Sequence, residues 1–224
     1  MLSVSDAVAQ RRSARAYLDR PVSDVLLREV LQKALRAPSN SNIQPWLVHV
    51  VNGDATRRVT AATSSRSTFP PQFDSEVYPF YPVPTPPAQE ARRFECGEAQ
   101  YGARGIARDD AHARLAYVYG NHQFFGAPAG MFLFTDPSAG PSQWADLGIF
   151  LQTVLLLLTE AGLDCVPQIS WNRFHALVKA ELGVPETMLL YCGVSIGYAD
   201  PNDPINAIRT GRAPLDELVV FHEA

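Results

Sequence analysis

Two short stretches carry residue types that suit the binding of a small molecule. Arg11, Arg12 and Arg15 surround Ser13 in a basic cluster, and residues 37–46 read Ala-Pro-Ser-Asn-Ser-Asn-Ile-Gln-Pro-Trp without a charge. Arginine and serine suit a phosphate, because the guanidinium group is a permanently charged donor of fixed shape. Short amide and hydroxyl side chains between two prolines suit the edge of a flat heteroaromatic ring.

A ring and a phosphate together suggest flavin mononucleotide, FMN. Each stretch taken singly also fits an ordinary surface loop or a solvated helix end. The sequence has no G-x-G-x-x-G, G-x-x-x-x-G-K-[ST] or G-x-S-x-G motif, and His112 and His122 stand ten residues apart. We therefore expect no Rossmann nicotinamide site, no metal and no catalytic side chain, and a cofactor that carries the chemistry itself.

The order of the motifs resembles the N-terminal signature of the FMN-dependent nitroreductase family. In this chain it runs Arg-Arg-Ser-x-Arg, a proline and a helix, and then Ala-Pro-Ser-x-x-Asn-x-Gln-Pro-Trp. Gly193-x-x-x-Gly197-Tyr198, followed by Asp200-Pro201, resembles the last core strand of the family. The resemblance covers most of the chain except residues 66–112. The length of this insertion and the tail motif look like the subgroup that reduces nitrobenzoate-type aromatics.

The resemblance implies a set of cofactor residues. The basic cluster meets the phosphate and the pyrimidine edge, and the uncharged loop meets the ring. Backbone amides after a long helix approach flavin N5, and a basic residue of the tail binds the phosphate. The implied residues are Arg11, Arg12, Ser13, Arg15, Pro38, Ser39, Asn40, Asn42, Gln44, Asn121, Pro167, Gln168, Ile169, Arg209 and Arg212.

The resemblance also implies an activity. NADH or NADPH reduces the flavin, leaves, and is replaced by a nitroaromatic, quinone or similar small aromatic acceptor in a ping-pong mechanism. We expect Tyr78, Phe124 and Phe125 to stack on that acceptor, with the protein core as the alternative place for the two phenylalanines. Other flavoenzymes of the same fold remain open, namely a dehalogenase, an azoline oxidase or a flavin-fragmenting enzyme. So does a protein that binds FMN or an apolar ligand without turnover.

Bulk properties limit the partners. The length of 224 residues suits one domain or one protomer of a tight dimer. The net charge of −4 argues against nucleic acid as a partner. Cys96, Cys165 and Cys192 are odd in number and widely spaced, which fits the cytoplasm. Residues 1–15 contain no secretory apolar region. The apolar run Leu147–Leu158 is too short to span a bilayer, so we expect it in a core or an interface rather than a membrane.

Periodicity and turn residues predict a single α+β domain over residues 1–224. The resemblance implies a mixed central sheet flanked by helices, in an intertwined homodimer with two interfacial FMN sites. Residues 64–88 are rich in proline and aromatics, so we expect a lid over the ligand pocket; a packed surface loop or an interface arm is the alternative. We expect residues 200–224 to form an arm whose last strand adds to a partner's sheet. The predicted helices are 3–12, 25–36, 54–63, 89–102, 109–121, 142–161 and 173–182, and the strands 46–51, 127–135, 165–169, 188–198 and 218–221.

Overall fold

The computed structural model of the protein describes residues 2–222. Helices alternate with strands much as the sequence predicts, and most boundaries agree within two or three residues. The helices are α1 Val4–Gln10, α2 Asp24–Ala34, α3 Asp54–Ser64, α4 Pro87–Ala103, α5 Ala111–Tyr119, α6 Pro141–Glu160, α7 His175–Leu182 and α8 Leu215–Leu218. The strands are β1 Leu47–Asn52, β2 Ala129–Thr135, β3 Asp164–Gln168 and β4 Leu189–Gly197.

The four strands form one sheet in the order β1-β2-β4-β3. All three strand pairs are antiparallel, so the described chain has an antiparallel sheet where we predicted a mixed one. The α+β class is confirmed. A single parallel bridge joins Ser13 to Cys165 of β3, which brings the N-terminal basic cluster against the sheet edge.

Local chemistry explains where the helices begin and end. Ser3 accepts a hydrogen bond from the backbone of Asp6, and the Asp6 carboxylate accepts one from Ser3 in return. This capping box satisfies two backbone donors at the start of α1. Ser23 occupies the N-cap position of α2 but makes no capping bond with its side chain. Gly183 ends α7 with a φ of 63°, a conformation that glycine adopts without strain.

Helix α6 is the central helix of the core. Leu147, Phe150, Val154 and Leu158 are fully buried and follow a helical stripe that packs on the sheet. By length and composition alone α6 is also the one described helix that could cross a membrane, a test that core helices pass as well. This stripe lies in the core of the chain, one of the two places that we expected for it, whereas Ile149 on another face of the helix is 43% exposed.

The proline-rich stretch before α4 forms no helix or strand up to residue 86. It packs on the segment that follows β3 through Asp74. The backbone N–H of Asp74 donates to Arg173 O at 2.8 Å, and its carboxylate accepts from the N–H of Ala176 at 3.0 Å. Arg66 pairs with the same carboxylate at 3.0 Å. The lid role stays a prediction.

The expected terminal strand at residues 218–221 does not form within the described chain, and its pairing with a partner's sheet stays a prediction. Leu218 ends the short helix α8, and Val219 beyond it has extended backbone dihedrals but no strand partner. Val220 and Phe221 are 75% and 68% exposed. A strand forms only where a neighbouring edge takes up its backbone groups, and the described chain offers none at this place.

Candidate active site

A cleft of about 730 Å³ opens beside the basic cluster, and we call it the arginine cleft. It is bounded by the end of α1, one side of α4 and of α6, the edge strand β3 and the tail after β4. The structure therefore brings together residues that are up to two hundred positions apart in sequence. The lining residues are Val8, Ala9, Arg11, Arg12, Ser13, Arg15, Cys96, Gln100, Gln152, Leu155, Pro167, Ile208, Arg209, Thr210 and Arg212.

Positive charge dominates the arginine cleft. Its lining includes five arginines and, within residues 2–222, no carboxylate. Arg12 pairs with Asp164 at 3.3 Å, whereas the other four arginines have no ion pair within the described chain. Four clustered guanidinium groups without an ion pair attract an anion, and their planar donors match the oxygens of a phosphate or a carboxylate.

The tail reaches the basic cluster through Asn206, a residue that the sequence analysis did not identify. Asn206 is 5% exposed, and its Oδ1 accepts from the backbone N–H of Arg15 at 2.9 Å. Its Nδ2 donates to Ala16 O at 2.8 Å and to Asp200 O at 2.9 Å. One amide thus ties residues 15–16 to the tail, and an asparagine in an irregular stretch gives no sequence signal of such a role.

Arg209 and Arg212 both line the cleft, as predicted for the phosphate end. One guanidinium nitrogen of Arg209 donates to Asn206 O and Ile208 O at 3.0 and 2.9 Å. In Arg212 the equivalent nitrogen donates to Thr210 Oγ1 at 2.8 Å and to nearby backbone carbonyls. These local bonds orient the side chains, and each guanidinium has five N–H donors, so several remain for a ligand.

Strand β3 supplies the apolar wall of the cleft. Pro167 lines it, and Ile169 just beyond the strand is 38% exposed. The side chain of Gln168 points inward and is 2% exposed. There its Nε2 donates to Asn121 O at 2.7 Å, and its Oε1 accepts from Ser195 Oγ at 2.7 Å. The role predicted for Gln168 was one of backbone contact, and that stays a prediction.

Asn121 lies near the end of β3 but does not line the cleft. Its Nδ2 donates to Val118 O at 3.0 Å. The neighbouring His122 is fully buried, and its Nε2 lies 2.9 Å from Ser170 O, which requires the tautomer with a proton on Nε2. Burial lowers the pKa of His122 to about 4. The imidazole is therefore neutral at ordinary pH and links the segments that follow α5 and β3.

The uncharged stretch lies outside the arginine cleft of its own chain. We call residues 39–44 the amide loop; it contains a 3₁₀ turn at Asn40–Asn42. Residues 40–44 are exposed, and the N–H of Asn40 donates to Asp146 of α6 at 2.9 Å. Pro38 precedes this loop, and Ser39 is its first residue. Within one chain the two predicted parts of the FMN site are therefore not assembled.

The three predicted substrate contacts fare differently. Phe124 is wrong as a substrate contact, because it is fully buried with its ring 4.6 Å from that of Trp171. Its backbone φ of 49° turns the side chain into the core. Phe125 stays half-buried against Tyr117, with ring centroids 5.9 Å apart.

Tyr78 is half-buried at the free end of β4, beyond the reach of β3. Its hydroxyl donates to Tyr191 O, and its ring meets that of Trp144 edge-on with centroids 5.0 Å apart.

The two buried cysteines are not placed in a state to act as nucleophiles. Burial raises the pKa of Cys165 and of Cys192 to about 12, so both stay protonated.

Fold and cleft define an α+β protein with an anion-binding site, and comparison with known proteins gives the family. The family model described as "Nitroreductase family" matches residues 8–198. The chain belongs to the nitroreductase family.

Full-length relatives extend this match over the tail that carries Arg209 and Arg212. "Nitrobenzene nitroreductase" of Ectopseudomonas oleovorans is 34% identical over 98% of this chain and 97% of its own length. "4-nitrobenzoate reductase" of Pseudomonas putida is 36% identical over 92% of this chain and 89% of its own. The crystal structure of an "FMN and NADPH-dependent nitroreductase NfnB" from Sphigopyxis sp. strain HMH matches with a TM-score of 0.95 and 42% identity over all of both chains.

Proposed function

We propose that this chain is an FMN-dependent oxidoreductase that uses NAD(P)H to reduce nitroaromatic compounds or quinones. The observation that carries the proposal is the arginine cleft in a chain of the nitroreductase family. Its volume of about 730 Å³ lies within the range of roughly 300–1,000 Å³ typical of cofactor sites. The similar proteins named above, which reduce nitrobenzene and 4-nitrobenzoate, support the choice of acceptor.

The donor set of the cleft fits the parts of FMN. Arg209 and Arg212 suit the phosphate dianion, because each offers several charged N–H donors on a backbone-anchored guanidinium. Pro167 and Leu155 supply apolar surface for a flat ring. Arg11, at the same cleft, adds the positive charge that stabilises an anionic pyrimidine edge.

Bound FMN supplies two-electron transfer between NAD(P)H and the acceptor, which explains how one site can serve both in turn. The side chains of this chain bind and orient rather than attack. The arginines of the cleft bind the negatively charged groups of the cofactor. The buried thiols of Cys165 and Cys192 stay protonated because burial raises their pKa. The neutral His122 is buried and does not line the cleft.

A homodimer completes the site in this proposal. The amide loop is exposed and outside its own cleft, so the loop of one protomer is placed to cover FMN in the cleft of its partner. The outer face of α6 supports such an interface, because Ile149 is 43% exposed and the space around Gly148 is open. Closed two-fold pairing presents the same patch twice and builds two equal sites.

The C-terminal arm gives the dimer a second contact in this proposal. Val219 has an extended backbone, and Val220 and Phe221 are largely exposed. Strand β1 is an open sheet edge with Leu47 and Val50 about two-fifths exposed (41% and 40%). An extended apolar arm from one protomer can pair with the β1 edge of the other, and it would then cover Leu47 and Val50.

Anaerobic spectroscopy of the purified protein tests the function. We expect a yellow protein that bleaches with NADPH or NADH and recolours when 4-nitrobenzoate is added. A yellow protein that never bleaches would favour a binding protein, and a colourless one that takes up no added FMN would rule out the proposal.

A panel of nitroaromatics, quinones and halogenated aromatics on the reduced protein identifies the acceptor class. Light scattering before and after removal of residues 215–224 tests the dimer and its arm.

We also propose a cytoplasmic location, supported by the free thiols of Cys96, Cys165 and Cys192.

A further inference from the structure

The amide loop has a backbone conformation that its own residues do not favour. Ser41, Asn42 and Gln44 have φ angles of 51°, 57° and 53°. Residues with a Cβ avoid this left-handed region, although asparagine tolerates it better than most. Within the loop, the N–H of Gln44 donates to Ser39 Oγ at 2.9 Å. Because residues 40–44 are exposed, contacts outside the loop must help to hold this shape.

Helix α6 holds the loop at both ends. The Oδ1 atom of Asp146 accepts from the N–H of Asn40 at 2.9 Å, at the start of the loop. Just after the loop, the ring of Trp46 stacks on Phe150 with centroids 4.7 Å apart and planes at 16°. Asp146 and Phe150 are four residues apart, so they project from the same face of the helix. The loop is therefore clamped between two adjacent turns of α6.

Asp146 is an energetically unfavourable residue at this buried position. It is 4% exposed, and its Oδ2 has no hydrogen-bond partner within the described chain. No ion pair of residues 2–222 includes it. A buried carboxylate oxygen without a partner costs stability, and the same stripe of α6 is otherwise apolar at Leu147 and Phe150. A residue that violates core chemistry in this way is expected to serve a function.

We propose that Asp146 is a positioning residue for cofactor binding. Through the N–H of Asn40 it holds the amide loop in the left-handed shape that covers FMN in the arginine cleft of the partner protomer. The inference rests on the proposed function, because it assumes that FMN occupies that cleft. Asp146 itself does not line the cleft of its own chain and acts through the loop.

Two substitutions of Asp146 test the proposal through FMN affinity, measured by fluorescence titration beside the wild type. Asp146→Ala should raise the Kd of FMN about tenfold, as expected for the loss of one charge-assisted hydrogen bond. Asp146→Asn keeps an acceptor oxygen of the same shape and should restore most of the affinity. Equal affinity of wild type and Asp146→Ala would overturn the role of Asp146, whereas a wild type that binds no FMN would refute the proposed function itself.

A control on the same helix separates positioning from stability. Val154 is fully buried on α6, outside the cleft lining and away from the loop. Val154→Ala should lower the Tm and leave the Kd of FMN within about twofold, since it removes core packing only. If Val154→Ala weakened FMN binding as much as Asp146→Ala did, the effect would be general destabilisation and the proposal would fail.

Mixed dimers give a readout that a purely structural role would not produce. We suggest co-expressing Asp146→Ala and Arg212→Ala chains with different tags and purifying the heterodimer. If the loop acts across the interface, one of the two sites has an intact loop and an intact cleft, so about half of the wild-type FMN should bind tightly. Heterodimers that bind no more FMN than either parent would overturn the proposal.

Discussion

The arginine cleft and the amide loop were predicted from sequence for the same cofactor, yet the fold treats them in opposite ways. The basic cluster is held within its chain by the bridge between Ser13 and Cys165 and by two hydrogen bonds between Asn206 and residues 15 and 16. The amide loop is exposed, strained in its backbone and held only at its ends by α6. In our proposal the arginine cleft is an inner half-site formed by one chain, and the amide loop is an outer half-site for the cleft of a second protomer.

The contrast separates two kinds of mutational effect. Changes in the inner half should affect the stability of the single chain and the affinity for phosphate together. Changes in the outer half should affect flavin binding in the dimer while the fold of each chain persists.

Acid should destabilise the fold through His122, which is buried outside the cleft. Because burial lowers the pKa of His122 to about 4, the unfolded chain takes up a proton below pH 6.5 that the folded chain resists. The free energy of unfolding should therefore fall between pH 6.5 and 4, by up to about 3 kcal/mol from this group. Urea titrations at pH 7 and pH 4.5 measure the loss. His122→Gln should flatten the dependence, and an unchanged slope would contradict the assignment.

Loss of the phosphate contact should weaken the cofactor site strongly. Arg212→Ala removes a charged donor from the cleft, so FMN binding should weaken by about 1.5–3 kcal/mol. Equilibrium dialysis and fluorescence titration measure the Kd. Arg58→Ala, an exposed arginine on α3 far from the cleft, serves as the control. Full retention of FMN by Arg212→Ala through dialysis would remove this residue from the phosphate site.

Cutting the link between the tail and the basic cluster should have an intermediate effect. Asn206→Ala leaves one backbone N–H and two carbonyls without their partner, so FMN binding should weaken by roughly 1–2 kcal/mol and the Tm should fall. Asn202→Ala is the matched control, because that side chain is exposed on the same tail. If both variants bound FMN like the wild type, the tail would not need Asn206 to reach the cleft.

Relief of strain in the outer half should give the smallest change. Ser41→Gly places glycine at a φ of 51°, which should raise the free energy of unfolding by a few tenths to about 1 kcal/mol. Ser65→Gly is the control, since Ser65 has a right-handed φ of −62° and gains nothing from glycine. Thermal melts compare the two. A destabilised Ser41→Gly would show that the loop is not strained in the free chain.

Local patterns predicted most of the secondary structure. The apolar run of α6 and the buried runs of β2 and β4 were visible because their residue types are those of buried helices and strands. Residues 218–221 have the strand pattern without a strand partner in their own described chain, and Leu218 ends a short helix instead. Phe124 failed because a φ of 49° cannot be read from two adjacent phenylalanines.

By itself the sequence determined the elements, the charge of the cleft and the family, since these depend on residue types and spacing. Tertiary structure alone decided which of those residues meet. Asn206 joins the tail to Arg15 across 191 positions, and Asp146 reaches Asn40 across 106. Such bonds depend on long-range packing, and neither partner carries a local signal of the other. The separation of cleft and loop follows from that packing, and it makes a second protomer necessary to our proposal.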